Sequence, residues 1–107
     1  MNNCRLKILS KSELGFISMP EDQEMIHLCF NNLMINFSKA DFIAFRSIVK
    51  DIYKETEPIS FPDGRQRMVL SSPYPGINFS FDRFELSELL RSLDEAYYME
   101  RIYSYFQ

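Results

Sequence analysis

With 107 residues, 46% of them apolar and 25% charged, the chain can form one compact domain with a core; divided in two it would leave halves too small to stand alone. Those fractions exclude a disordered chain, and a net charge of −3 with a pI of about 5.1 supplies no global field toward phosphate backbones or anionic lipid. No apolar run approaches the roughly 20 residues needed to span a bilayer, so no membrane association is expected.

The opening residues, Met1-Asn2-Asn3-Cys4-Arg5, reach a charge before any long apolar segment, so no secretory signal is expected. Cys4 and Cys29 have neither metal-pair spacing nor that of a multi-bridge framework. A reducing cytoplasm follows, with both thiols free and Cys29 buried.

From Cys4 to Leu9, apolar Cys4, Leu6 and Ile8 alternate with Arg5 and Lys7, which predicts a half-buried strand using the apolar set. A polar break at residues 10–13 precedes a second strand over Leu14–Met19, and Pro20-Glu21-Asp22-Gln23 reads as a turn. Met25–Phe30 and Leu33–Phe37 flank Asn31-Asn32. Asn tolerates positive φ, so a tight hairpin is expected, with Ile26, Leu28 and Phe30 on the same side as Leu33, Ile35 and Phe37.

Ser38 reads as a helix N-cap, with Asp41 complementing the first-turn amides. The period then changes to 3.6. Phe42, Phe45, Ile48, Val49 and Ile52 form an apolar stripe, and Lys39, Arg46, Lys50 and Lys54 lie away from it. The helix should end near Glu55, ahead of Pro58. Residues 60–64 read as a loop, Arg65–Ser71 as a strand with Met68 and Leu70 inward, and residues 72–76 as a loop stiffened by two prolines. Ile77, Phe79 and Phe81 form a last strand. Asp82 with Glu85 resembles a capping box, and Leu86, Leu89, Leu90, Leu93 and Tyr97 make a second helical stripe.

The expected fold is therefore α+β, a single domain over residues 1–107 in the order β-β-β-β-α-β-β-α. One antiparallel sheet of five or six strands would carry both helices on one face. Ile35-Asn36-Phe37-Ser38 recurs as Ile77-Asn78-Phe79-Ser80, 42 residues on, which suggests an internal ββα pseudo-repeat whose helical stripes are offset by 41.

Chemistry-bearing patterns are sparse. His27 and Cys29 share one side of a strand with Met25, but zinc requires three or four ligands and no acidic residue is placed to orient the imidazole. Asp41, Asp82 and Glu85 are accounted for at helix starts. With three glycines and no phosphate-loop, nucleophile-elbow or metal signature, an enzyme is not expected, nor is a cofactor.

Two surface readings remain. Arg46, Lys50 and Lys54 fall at i, i+4 and i+8 and, with Arg65 and Arg67, would form a local nucleic-acid patch, although Asp51 and Glu55 interrupt the line. The C-terminal segment carries Tyr98, Met99, Ile102, Tyr103, Tyr105 and Phe106, apolar over more than one helical face and beside Arg101. Tyr74, held between Pro73 and Pro75, adds a stiff aromatic tip. The leading expectation is a small cytosolic interaction or structural module, homodimeric through the C-terminal helix; the alternative is a weak nucleic-acid-associated factor.

Overall fold

The computed structural model describes residues 5–22 and 24–106, so Cys4 and Gln23 lie outside the described residues. In chain order the elements are β1 (Leu6–Ser12), β2 (Gly15–Pro20), β3 (Met25–Phe30), β4 (Leu33–Ser38), α1 (Lys39–Glu55), β5 (Ile59–Ser60), β6 (Gln66–Ser71), β7 (Asn78–Phe81) and α2 (Arg83–Tyr105). The fold is α+β, with two antiparallel sheets in place of the single expected one: a four-stranded meander β1-β2-β3-β4 and a three-stranded β5-β6-β7.

The β3–β4 hairpin forms at the two asparagines. Asn31 takes φ +52°, and its N–H donates to the Leu14 carbonyl (2.7 Å), tying the hairpin tip to the β1–β2 turn. Ile26 pairs with Phe37, Leu28 with Ile35 and Phe30 with Leu33, as the alternation predicts. Ile17 pairs with Leu28, so one buried face runs across β2, β3 and β4. α1 packs over β3 and β4, α2 over β1 and β2, and the helices touch each other.

Both helices begin where the sequence places them. Ser38 Oγ accepts from the Asp41 N–H (3.1 Å), and Asp82 and Glu85 exchange reciprocal side-chain-to-backbone bonds of 2.7 and 3.0 Å. α1 buries Phe42, Phe45 and Val49, and α2 buries Leu86, Leu89, Leu93 and Ala96. Ile48 departs from the expected stripe and is largely exposed. It lies on the flank of the Phe45–Val49 line, where it borders a cleft between α1 and the β6–β7 loop.

Four further expectations are corrected. Ser60, read as the start of a loop, pairs with Gln66, and Ile59 before it pairs with Arg67, adding a short strand. The second sheet does not extend the first, because aromatic packing joins them instead of a backbone ladder: Phe81 meets Phe30 edge-on (5.8 Å between centroids) and Phe79 meets Phe45 (6.1 Å). In β1 the predicted apolar set points the wrong way. A bulge between Ile8 and Ser10 inserts Leu9 into the core, leaving Leu6 and Ile8 exposed on the open sheet face, while Lys7 stands over the Tyr103 ring of α2 (5.0 Å).

The repeat is not matched in the form expected. Ser38 caps α1, but its counterpart Ser80 lies inside β7, and Asp82 caps α2. Aligned on those caps, Phe42, Phe45 and Val49 correspond to Leu86, Leu89 and Leu93, an offset of 44 residues instead of 42.

Candidate interaction surface

α1 and α2 run antiparallel, and named contacts mark the pairing along their length. Lys39 Nζ reaches Glu100 Oε2 (3.2 Å), Arg46 Nε donates to Asp94 Oδ1 (2.7 Å), and the Arg83 guanidinium lies over Tyr53 (4.7 Å). Arg46 is held further by the faces of Tyr97 (4.2 Å) and Tyr98 (5.7 Å). This arrangement dismantles the expected basic line. Arg46 is mostly covered and ion-paired, and Arg67 bonds Asp63 (2.9 Å) across the face of Phe61. Lys50, Lys54 and Arg65 are exposed. The hydrogen bond from Arg67 pulls the Asp63 carboxyl below its ordinary range, and the one from Arg91 does the same to Glu88.

His27, Cys29 and Met25 do share a side, the open face of the four-stranded sheet, where all three are half-buried; Cys29 is thus less buried than expected. His27 Nδ1 and the Asn36 side-chain oxygen are hydrogen-bonding partners across the β3–β4 pair. Phe16 and Met34 add apolar area to this face. Among the described residues, no group of three or more His, Cys, Asp or Glu could hold a metal ion.

Tyr74 stands exposed at the tip of the β6–β7 loop. Ser72 Oγ fixes the loop by accepting from the Tyr74 N–H (3.0 Å) and donating to its carbonyl (2.9 Å), and Gly76 takes φ +81° to close it. Ser72 and Pro73 of this loop line the cleft against Ala44 and Ile48 of α1, whereas the hollow at the end of α2 is lined by residues of α2 and Phe106 alone, so Tyr74 is a separate feature.

The C-terminal aromatic set divides in two. Met99 and Tyr103 continue the buried line of Leu89, Leu93 and Ala96 and pack against the core. The others face outward: Tyr98 is 57% exposed, Ile102 47%, Tyr105 85% and Phe106 80%. With Arg101 they border a shallow hollow of about 380 Å³. Position on the helix explains the split. Tyr98 lies nine residues from Leu89, two and a half turns, and so on the opposite side of α2. The sequence reading missed that Phe84, 65% exposed in the first turn, lies on this same outer face. Its spacing of 14 residues from Tyr98 was the available signal.

No helix among the described residues is long and apolar enough to cross a membrane. Comparison with curated proteins and with solved structures finds no match. A family model does match, over residues 1–104, and the chain belongs to that family of unknown function (DUF6686).

Proposed function

We propose that this chain is a non-catalytic protein-interaction module of a reducing cytosol, and that it self-associates through the outer face of the last turns of α2. The observation carrying this reading is the contiguous set Tyr98, Ile102, Tyr105 and Phe106, four large apolar side chains left uncovered at the end of a helix whose opposite side packs on the core. Isolated apolar residues on a surface need no explanation, but a contiguous patch rimmed by charge marks a contact site. Tyr beside Arg is also the composition enriched where proteins meet. The Lys39–Glu100 and Arg46–Asp94 pairs hold the helix firmly against α1, so presenting this patch costs little ordering on binding.

Sedimentation velocity of the full chain against Tyr98→Glu and Ile102→Glu tests the reading. Wild type should sediment as a dimer at micromolar concentration and both variants as monomers with unchanged circular dichroism. A wild-type monomer up to high concentration would remove self-association. Point substitutions are preferable to stopping the chain after Tyr97, which would also strip Met99 and Tyr103 from the core. Insensitivity of the dimer to salt would separate an aromatic contact from a charge-driven one.

A further inference from the structure

Resting on that reading, we infer that the second copy lies antiparallel along the whole of α2, with Phe84 of each chain packed on Tyr105 of the other. The outer face of α2 carries Phe84, Arg91, Tyr98 and Tyr105 at intervals of seven residues, all exposed. A seven-residue interval drifts slowly around an α-helix, so this line can follow a partner helix crossing at a shallow left-handed angle of roughly 20°. Between Phe84 and Tyr105 it runs for about 32 Å.

Charge decides the direction and the register. A parallel pair would set Arg91 on Arg91 and Glu88 on Glu88 of the other copy, like on like. A short antiparallel crossing at Ile102 would leave Phe84 uncovered. A two-fold axis between Asp94 and Glu95 instead places Phe84 against Tyr105 and sets the in-chain Arg91–Glu88 pair (3.2 Å) between the Tyr98 ring, which Arg91 meets, and Arg101, which Glu88 meets, each contact occurring twice as an isologous interface requires. The acidic residues at the axis are compensated within each chain, Asp94 by Arg46 at 2.7 Å and Glu95 by the charge of nearby Arg91. The mixed line of cation, carboxylate and ring, which looks unpatterned within one chain, is complementary to its own reverse.

Engineered cysteines read the register directly. In a background of Cys4→Ser and Cys29→Ser, the pair Phe84→Cys with Tyr105→Cys should form an inter-chain disulfide under mild oxidation, mapped by mass spectrometry to positions 84 and 105. Phe84→Cys alone should not link to itself. Linkage of Tyr98→Cys to its own copy would overturn this register while leaving self-association intact; a dimer in which none of these cysteines links would do the same. A chain that neither links nor dimerises would overturn both. Because the cysteine pair removes two contacting rings, charge reversal supplies an independent measure. Glu88→Arg and Arg101→Glu should each weaken dimerisation about tenfold, and together restore it to within about threefold of wild type. Absence of restoration would refute the register. Met34→Lys, on the open sheet face, should leave the dimer unchanged, and a loss there would place the contact on that face instead.

Discussion

Gly15→Ala should be among the most damaging single-atom additions this fold can receive. Gly15 pairs with Phe30 at the point where the β1–β2 turn meets the β3–β4 hairpin. A Cβ placed there would lie 1.9 Å from the Cys29 carbonyl oxygen, 2.8 Å from its carbonyl carbon and 2.9 Å from Phe30 Cα. All three are backbone atoms, so no side-chain rotation relieves the overlap. Ordinary contact begins near 3.4 Å, and β2 would have to draw back from β3 by about 1.5 Å. That displacement breaks the local ladder and strains the 2.7 Å bond from the Asn31 N–H to the Leu14 carbonyl. Losing two or three net hydrogen bonds costs roughly 2–4 kcal/mol, a large share of the 5–15 kcal/mol typical of a domain. The melting temperature should fall by roughly 10–25 °C, read by circular dichroism and confirmed by urea titration with an unchanged slope. Gly64→Ala is the control: its φ is +83° and a Cβ there meets nothing within 4 Å, so only the left-handed backbone penalises it, by about 1–2 kcal/mol. The close-approach argument is refuted if Gly15→Ala proves no more destabilising than Gly64→Ala.

Three other expectations concern the helices and their charges. Asp82→Ala should cost about 1 kcal/mol by urea denaturation, because it removes the side-chain acceptor of the Glu85 N–H and leaves only the backbone N–H of residue 82 donating to Glu85 Oε1, whereas Asp82→Asn, which still accepts from the Glu85 N–H, should cost a few tenths. Arg46→Met should lose about 1–3 kcal/mol, since a 2.7 Å charged hydrogen bond and the stacking on Tyr97 go together; an unchanged melting curve would mean the arginine is free for another role. Asp63 and Glu88 have carboxyls held below their ordinary range in the folded chain, so the stability they contribute is present at neutral pH and lost as pH falls through their lowered values. Asp63 is exposed and Glu88 only half-buried, so the effect is small, and Asp63→Asn with Glu88→Gln should flatten the acid limb of the stability curve relative to wild type.

Local signals in the sequence were reliable here and long-range ones were not. Ser38, Asp82 and Glu85 act within three residues of their partners, so their roles follow from spacing alone. The asparagine hairpin follows for the same reason. The bulge at Leu9 left no mark in the residue pattern, yet a one-residue insertion was enough to exchange the faces of Leu6, Lys7 and Ile8. Nothing in the order of strands indicated that Phe79 and Phe81 would interleave with Phe45 and Phe30 in place of a backbone ladder. That Arg46 leaves the basic line on α1 for a carboxylate could not be read from spacing along one helix, because Asp94 lies 48 residues away. The C-terminal set was legible in part: an excess of apolar arc was apparent, but dividing Met99 and Tyr103 from Tyr98 and Ile102 required knowing where the sheet lay.

The length of α2 links these observations. Its 23 residues extend about 34 Å, while a six-residue strand covers about 20 Å, so the helix outruns the sheet beneath it. The chain is accordingly elongated, 48 × 29 × 27 Å. A helix serving only to cover β1 and β2 could stop soon after Ala96, or carry polar residues on its outer face from there on. This one continues, keeps Tyr103 anchored under Lys7, and places Tyr98, Ile102 and Tyr105 on the side facing away from its own core. The overhang therefore exposes apolar area that the domain's own packing does not need. The exposed cations that would have favoured a phosphate backbone are fewer than the sequence implied, because Arg46 and Arg67 are each bound to a carboxylate of the same chain. Uncovered aromatic surface on a rigidly held helix, without a concentrated positive field, favours a protein partner over a nucleic acid.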